Sequence, residues 1–298
     1  MNLATIFCPN LDCLARGQTG RGNVQVHSHK EKRCYCLELQ QVQADEIKVK
    51  RQGGYIWMAM AMMVSSRLWL AGVISPQRDR HLIQAVVDQA QVIALCRPLL
   101  VAVDGLASYV TAFQRAFRSP LPRHGQPGRC RLCAWSELAI VQVVKQRVDG
   151  QLTIVRRCVQ GSAEQVTRLL TVSQGGGHIN TAFIERLNAT FRQRLPWLTR
   201  RCRYLARQPE TLQASMFVLG CVYNFCTYHH SLRLALHLPH RRRRWLHRTP
   251  AIAAGLTDHR WSIAELFEFR VPPPRWSPPK RRGRHSKHTL QLINHWCI

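Results

Sequence analysis

Acidic residues are scarce in this chain: 16 Asp and Glu stand against 43 Lys and Arg in 298 residues, a formal net charge of +27. That imbalance argues against a small-molecule enzyme and for a polyanionic partner, nucleic acid or a membrane surface. Long apolar runs are missing as well. The longest, Tyr55 to Val64, is ten residues, too short to cross a bilayer as a helix. The opening MNLATIFCPN lacks the charged start and long apolar core of a signal peptide. An intracellular, cytoplasmic protein with no membrane partner is therefore expected. Its twelve cysteines are then read as reduced thiols or metal ligands rather than disulfides. Hydrophobic residues make up 46% of the chain, enough for one large domain or two to three smaller ones.

Three stretches follow from the patterning. Residues 1–40 hold Cys8 and Cys13, then Cys34 and Cys36 beyond a Gly-rich basic segment. Two cysteine pairs across a short loop suggest a zinc ribbon-like arm, although the one-residue gap of the second pair is tighter than a zinc knuckle uses and His27 or His29 could substitute. Free thiols in an arm without a metal are the other reading. Residues 41–200 open with three apolar runs at strand spacing, QVQADEIKVK, YIWMAMAMMV and RLWLAGVIS. A helix is expected over 79–95, a buried strand over 98–104 ending in Asp104, a helix over 107–117, a fifth strand over 138–148, a further strand-like piece over 151–160, and a helix over 163–172. Gly175 to Gly177 then form a hinge. Residues 201–298 are a helical extension and a basic tail that includes Arg241 to Arg244 and Lys280 to Lys287.

The segment HINTAFIERLNATFRQRLPWLTRRCR carries one carboxylate, Glu185, in an otherwise acid-free basic helix. Asn180 is a candidate N-cap, Ile184, Leu187, Phe191, Leu195 and Leu198 form an apolar stripe, and Pro196 ends or kinks the helix. A lone glutamate among arginines ordinarily only offsets their charge on a solvated face. Two aspartates upstream alter that expectation. The order strand, strand, strand, helix, strand, helix, strand, helix is that of an α/β, RNase H-like fold, a mixed five-stranded sheet flanked by helices. Its first and fourth strands are neighbours, so Asp45 and Asp104 would meet, and a later helix could bring Glu185 to them. The three are separated by 59 and 81 positions, so the cluster exists only in the fold.

The motifs QADEI, VDGLASY and INTAFIERLNATFRQRL, with the downstream YNFCTYHHSLR, RTPAIAAGLTDHRWSIAELF and VPPPRW, resemble those of bacterial insertion-sequence DDE transposases, in particular the InsA/InsB-type family of insertion sequence one. The resemblance spans most of residues 41–285, and the N-terminal CPNLDC is similar to that family's zinc-ribbon start. It implies a nucleoid-associated bacterial enzyme that cleaves DNA strands at transposon terminal inverted repeats and joins them to target DNA, as a homodimer or higher oligomer. Such transposases place a helix-turn-helix between the ribbon and the first catalytic aspartate. Here Cys36 and Asp45 are only nine positions apart, too few for two helices, so this copy is expected to lack its end-recognition module. A catalytically inactive remnant that binds DNA non-specifically is the alternative, and an RNase H-like nuclease for structured DNA a third.

Three carboxylates in a basic cleft suit a two-metal phosphodiester reaction, with Mg²⁺ (or Mn²⁺) ions about 3.5 to 4 Å apart. Mg²⁺ takes oxygen ligands and keeps several waters, so Asp45, Asp104 and Glu185 suffice, Asp45 as the bridging ligand. Glu46 should point to the opposite face of its strand and is read as structural. Arg186, Arg192, Arg194, Arg200, Arg201 and Arg203 are the candidate phosphate contacts. Trp197, Tyr204 and Trp245 could stack on unpaired bases or belong to the core. The Cys130–Cys133 pair is a weak zinc knuckle. Cys158, Cys202, Cys221 and Cys226 read as core thiols.

Overall fold

The computed structural model describes residues 24–28, 33–36, 40–93, 99–121, 130–174, 177–199, 205, 207–236, 244–270 and 286–296. In chain order the strands and helices are β1 (Val24–Ser28), β2 (Arg33–Cys36), β3 (Gln40–Arg51), β4 (Gly54–Met63), β5 (Trp69–Ser75), α1 (Arg80–Ile93), β6 (Leu99–Asp104), α2 (Ala107–Ala116), β7 (Arg118–Pro120), β8 (Leu132–Ala134), β9 (Leu138–Val148) and β10 (Gln151–Gln160). They continue with α3 (Ala163–Gln174), α4 (Ala182–Arg194), α5 (Pro209–Cys221), β11 (Leu234–Leu236), β12 (Arg244–Leu246), α6 (Pro250–Ala253), α7 (Ile263–Glu268) and α8 (Lys287–Trp296). Among the described residues no helix is long and apolar enough to cross a membrane.

The fold is α/β. Its central sheet has six strands in the order β10-β9-β6-β3-β4-β5, and it is mixed: β3, β6 and β9 run parallel, whereas β4, β5 and β10 pair antiparallel with their neighbours. The expected five-stranded sheet is corrected to six. The extra strand is the piece over 151–160, joined to β9 by the tight Asp149–Gly150 turn, where both residues take positive φ (50° and 79°). It is an edge strand, exposed along most of its length, so its amphipathic pattern is faint in the sequence. For the same reason Cys158, expected in the core, is exposed, and Cys226 is buried as expected.

Strand alternation sorts the apolar residues into two faces. Val42, Ala44, Val101 and Val103 pack under α1 and α2 with Leu82, Val86, Tyr109 and Phe113. On the other face, Ile47, Val49, Met58, Met60 and Met62 pack under α4 and α5 with Ile184, Leu187, Phe191, Leu212 and Met216, and Leu100 and Ala102 meet Leu169 and Leu170 of α3. Because β4 is covered on both sides, its run is apolar without alternation. Close approach joins α5 to β5: a Cβ on Gly220 would lie 2.2 Å from the Trp69 ring. Buried Asn224 clamps the same junction, accepting from the Trp69 N–H and donating to the Trp69 carbonyl, both at 2.9 Å. Residues 207–226 thus complete the core under β3–β5.

At the N-terminus, β1 and β2 form an antiparallel pair containing Cys34 and Cys36, while Cys8 and Cys13 lie outside the described residues.

Candidate active site

The parallel ladder between β3 and β6 runs to the pair Ala44–Val103, and β6 ends one residue later at Asp104, opposite Val143 of β9. Strands β3 and β9 continue past that point, so the end of β6 opens a notch between them. It is also where the chain order reverses: β4 and β5 are added on one side of β3, and β6, β9 and β10 on the other. Such switch points at the carboxyl ends of parallel strands are where open α/β sheets bind ligands.

Asp45 and Asp104 both project to the face covered by α3 and α4, since Asp45 alternates with Ile47 and Val49, and Asp104 with Leu100 and Ala102. Asp45 accepts from the Glu46 N–H at 2.9 Å and from Asn188 Nδ2 of α4 at 2.8 Å. Burial raises its pKa from 3.8 to about 6, assisted by the negative charges of Glu46, Asp104 and Glu185 and opposed by the backbone hydrogen bond. Asp104 accepts from the Leu106 N–H at 3.0 Å and pairs with Arg78 at 3.3 Å.

Glu185 lies in the first turn of α4, where a helix N-terminus favours a negative charge. Partial burial would raise its pKa, but hydrogen bonds from Lys145 of β9 (2.6 Å) and Thr181 (2.7 Å), with the Lys145 charge, hold it below the usual carboxylate value. Asp45, Asp104 and Glu185 line one cleft of about 530 Å³ together with Arg78, Lys145 and Thr181.

A fourth carboxylate belongs to this cluster. The sequence gives Glu46 a structural role on the opposite face, and there its carboxylate accepts from the Tyr109 hydroxyl of α2 at 2.6 Å and pairs with Arg78. Yet at the open end of β6 one of its oxygens, one of Asp45 and one of Asp104 lie within 4.8 Å of one another. Glu46 thus keeps its place on the opposite face and also joins the tight carboxylate group, while Glu185 stands at the wall of the same cleft, tied to Lys145. Burial and Glu46's charge push the Tyr109 phenol well above its ordinary pKa. Arg78, although desolvation works against its charge, is held above its ordinary value by Glu46 and Asp104.

An all-oxygen donor set with a buried carboxyl of raised pKa fits a divalent cation, since a positive ion would offset both the burial that raises Asp45 and the smaller repulsion from its neighbours. Asn188 Oδ1, buried beside Asp45 and without a hydrogen-bond partner among the described residues, is a further neutral oxygen there. Among the described residues these acidic groups could hold a metal ion.

Several residues around the site were missed in the sequence. Gln43, fully buried two positions before Asp45, donates to the Asn180 carbonyl at 2.7 Å and accepts from the Ile184 N–H at 3.0 Å, fastening the start of α4 to β3. Its signal is faint, because Gln41, Gln43 and Asp45 share that face of β3 ahead of Ile47 and Val49. Asn188 had a signal too, one helical turn after Glu185. Asn180 does accept from the Ala182 N–H at 3.1 Å, but the residue at the helix boundary is Thr181, whose hydroxyl serves Glu185 instead. Helix α4 ends before Pro196, which starts a 3-10 turn over Pro196–Leu198.

Of the expected phosphate contacts, Arg186 and Arg194 are exposed and Arg192 half-buried on α4, whereas Arg200, Arg201 and Arg203 lie outside the described residues. Trp197 packs against the core, and the exposed Trp245 ring is stacked under Arg233 at 3.9 Å. His178 lines a separate groove with Arg156 and Ile179.

No protein-family model matches this sequence, and no curated protein matches it.

Proposed function

We propose that the chain is a metal-dependent DNA transposase of the RNase H-like, DDE type, cutting DNA strands and joining their 3′ ends to target DNA. The observation that supports this most is the convergence of Asp45, Asp104 and Glu185, from β3, β6 and α4, on one cleft in a chain of net charge +27. Asp45 and Asp104 would hold Mg²⁺ or Mn²⁺, with Glu185 completing the site from α4 and Glu46 anchoring Arg78. Bound there, the metal supplies activation of the attacking oxygen and charge stabilisation at the leaving oxygen.

The chain's own residues prepare the site. Gln43 and Asn188 hold α4 against β3, which fixes Glu185 relative to the aspartates. Arg78 and Lys145 balance the carboxylates and present positive charge at the cleft where a phosphodiester enters. The partners on this reading are double-stranded DNA, its terminal inverted repeats and a second copy of the chain.

The test is cleavage and joining of labelled DNA carrying the repeats that flank the gene, with Mg²⁺ or Mn²⁺, comparing the chain with Glu185→Gln. Metal-dependent strand joining lost in the variant supports the proposal. Equal DNA binding by both proteins with no cleavage by either would assign a DNA-binding remnant instead.

A further inference from the structure

The flank of α4 that turns away from the carboxylates carries a second charged site. Arg67, in the turn between β4 and β5, takes a left-handed backbone conformation (φ 58°) that residues other than glycine rarely adopt. There its guanidinium donates to the Val64 carbonyl and stacks on the Phe183 ring at 3.7 Å. Phe183 and Arg186 are three residues apart on α4 and share a flank. Farther along the helix, Arg194 Nη1 reaches Thr227 Oγ1 at 3.2 Å.

Tyr223 closes the group from below. It is only 5% exposed, its hydroxyl has no hydrogen-bond partner among the described residues, and Arg67, Arg186 and Arg194 all act on it electrostatically. His229 meets the Tyr223 ring edge-on at 6.2 Å, and its Nδ1 is engaged by the Ser231 hydroxyl at 2.9 Å.

No protein counter-charge is supplied to this group from the described residues. Among the described residues no carboxylate pairs with Arg67 or Arg186. Burial and the neighbouring arginine lower the Arg67 pKa to about 10, with only Tyr223 acting in the opposite sense. The same burial and the charges of Arg67 and Arg186 hold His229 down at about 4, neutral at physiological pH. A half-buried guanidinium without a counter-charge is unfavourable unless a ligand supplies one. Guanidinium groups that all act on one buried hydroxyl donor, with no carboxylate paired to Arg67 or Arg186 among the described residues, match the oxygens of a phosphate.

We propose that Arg67, Arg186, Arg194 and Tyr223 bind a backbone phosphate of the DNA strand whose neighbouring phosphodiester is presented to Glu185. The proposal rests on the DNA reading above and deepens it. Glu185 and Arg186 are consecutive, about 100° apart around α4, so one strand crossing the start of that helix would meet both sites. Free inorganic phosphate is the other source of the same chemistry.

The experiment measures binding of a fluorescent DNA duplex by anisotropy over a range of salt in Ca²⁺, with cleavage measured separately in Mg²⁺. It uses the full chain, Arg67→Gln, Arg186→Gln, Tyr223→Phe, and Arg115→Gln on the distant helix α2 as control. Each of the two pocket arginine variants should weaken binding roughly tenfold and reduce the slope of log K against log salt by about one, the signature of one lost phosphate contact. Tyr223→Phe keeps the ring and should weaken binding severalfold at unchanged slope. Melting curves confirm that each variant is folded, and Arg186, being exposed, keeps the test decisive if Arg67→Gln does not fold.

Slopes equal to wild type, or the same loss in Arg115→Gln, overturn the proposal even where Glu185→Gln still abolishes cleavage. Reduced slopes in a chain that cleaves nothing support the phosphate site while the transposase reading falls. Stabilisation of the wild-type chain by inorganic phosphate, lost in Arg186→Gln with DNA binding unaffected, would assign the pocket to free phosphate and overturn the DNA assignment.

Discussion

The two flanks of α4 solve opposite electrostatic problems. On one, Asp45, Glu46, Asp104 and Glu185 are gathered from three elements, and cations are supplied to them: Arg78 to Glu46 and Asp104, Lys145 to Glu185. On the other, Arg67 and Arg186 are gathered with a buried tyrosine and receive no carboxylate among the described residues. In a protein with 16 acidic residues against 43 basic ones, four carboxylates are concentrated in a single notch, while Arg67 and Arg186 have no carboxylate partner among the described residues. Charge here is arranged by site rather than spread for solubility. A compensated acidic notch can exchange its internal cations for a metal, whereas an uncompensated basic flank can only take an anion.

Removing a carboxylate from the notch is expected to have the largest effect. Asp45→Asn, Asp104→Asn and Glu185→Gln should each lower metal-dependent cleavage by about a thousandfold or more, taking several kcal/mol of transition-state stabilisation by charge as the scale. DNA affinity should change less than twofold, measured by anisotropy in Ca²⁺. Loss of binding in step with cleavage would merge the two flanks into one site.

Next in size is the junction on which the basic flank depends. Asn224→Ala leaves the Trp69 N–H and C=O buried without partners, which should destabilise the chain by about 3 kcal/mol in urea unfolding, given roughly 1 to 3 kcal/mol per orphaned group. Since Asn224 adjoins Tyr223, the variant should weaken DNA binding more than it slows cleavage of bound DNA. The opposite order would break the proposed division of labour.

The sequence makes the acidic flank legible and the basic one obscure, and the reason is physical. Asp45 and Asp104 interrupt strands of strong apolar periodicity, so alternation and strand order are enough to bring them together. The helix of Glu185 likewise has a clear stripe from Ile184 to Phe191. Arg67 has no such frame, because its role comes from a turn conformation and from a ring, Phe183, distant in sequence. Tyr223 reads as an ordinary core aromatic. Glu46 was assigned to the correct face, but its approach to Asp45 and Asp104 depends on where β6 stops, which periodicity does not encode. Strand β10 is faint in the sequence because an exposed edge strand has little apolar contrast.

The raised Asp45 pKa gives a pH-dependent prediction of intermediate size. The folded chain holds this proton up to about pH 6 and the unfolded chain only to about 4, so between these values the folded state binds more protons. Without metal, stability should therefore fall as pH rises from 4 to 6 and level off above. Asp45→Asn should remove that slope and stabilise the metal-free chain near neutral pH by about 2 kcal/mol, at 1.36 kcal/mol per pKa unit discounted for partial exposure. Added Mg²⁺ should stabilise wild type above pH 6 and leave Asp45→Asn unaffected. A metal-free wild type whose stability rises from pH 4 to 6 would mean that burial and the neighbouring carboxylates do not hold the Asp45 proton.

The smallest effect is expected at Lys145, and it separates pairing from stability. The Lys145–Glu185 contact is short, but both side chains are more than 40% exposed, so an ion pair of this kind contributes under about 1 kcal/mol to folding. Lys145→Met should leave the melting temperature nearly unchanged. What should move is Glu185: without the hydrogen bond and charge that hold it down, its pKa rises. The acid limb of the cleavage-against-pH profile should then shift to higher pH, since more alkaline conditions are needed to ionise the carboxylate. An unshifted limb would mean that Lys145 is only a neighbour of Glu185, and that the compensation of the acidic flank rests on Arg78 alone.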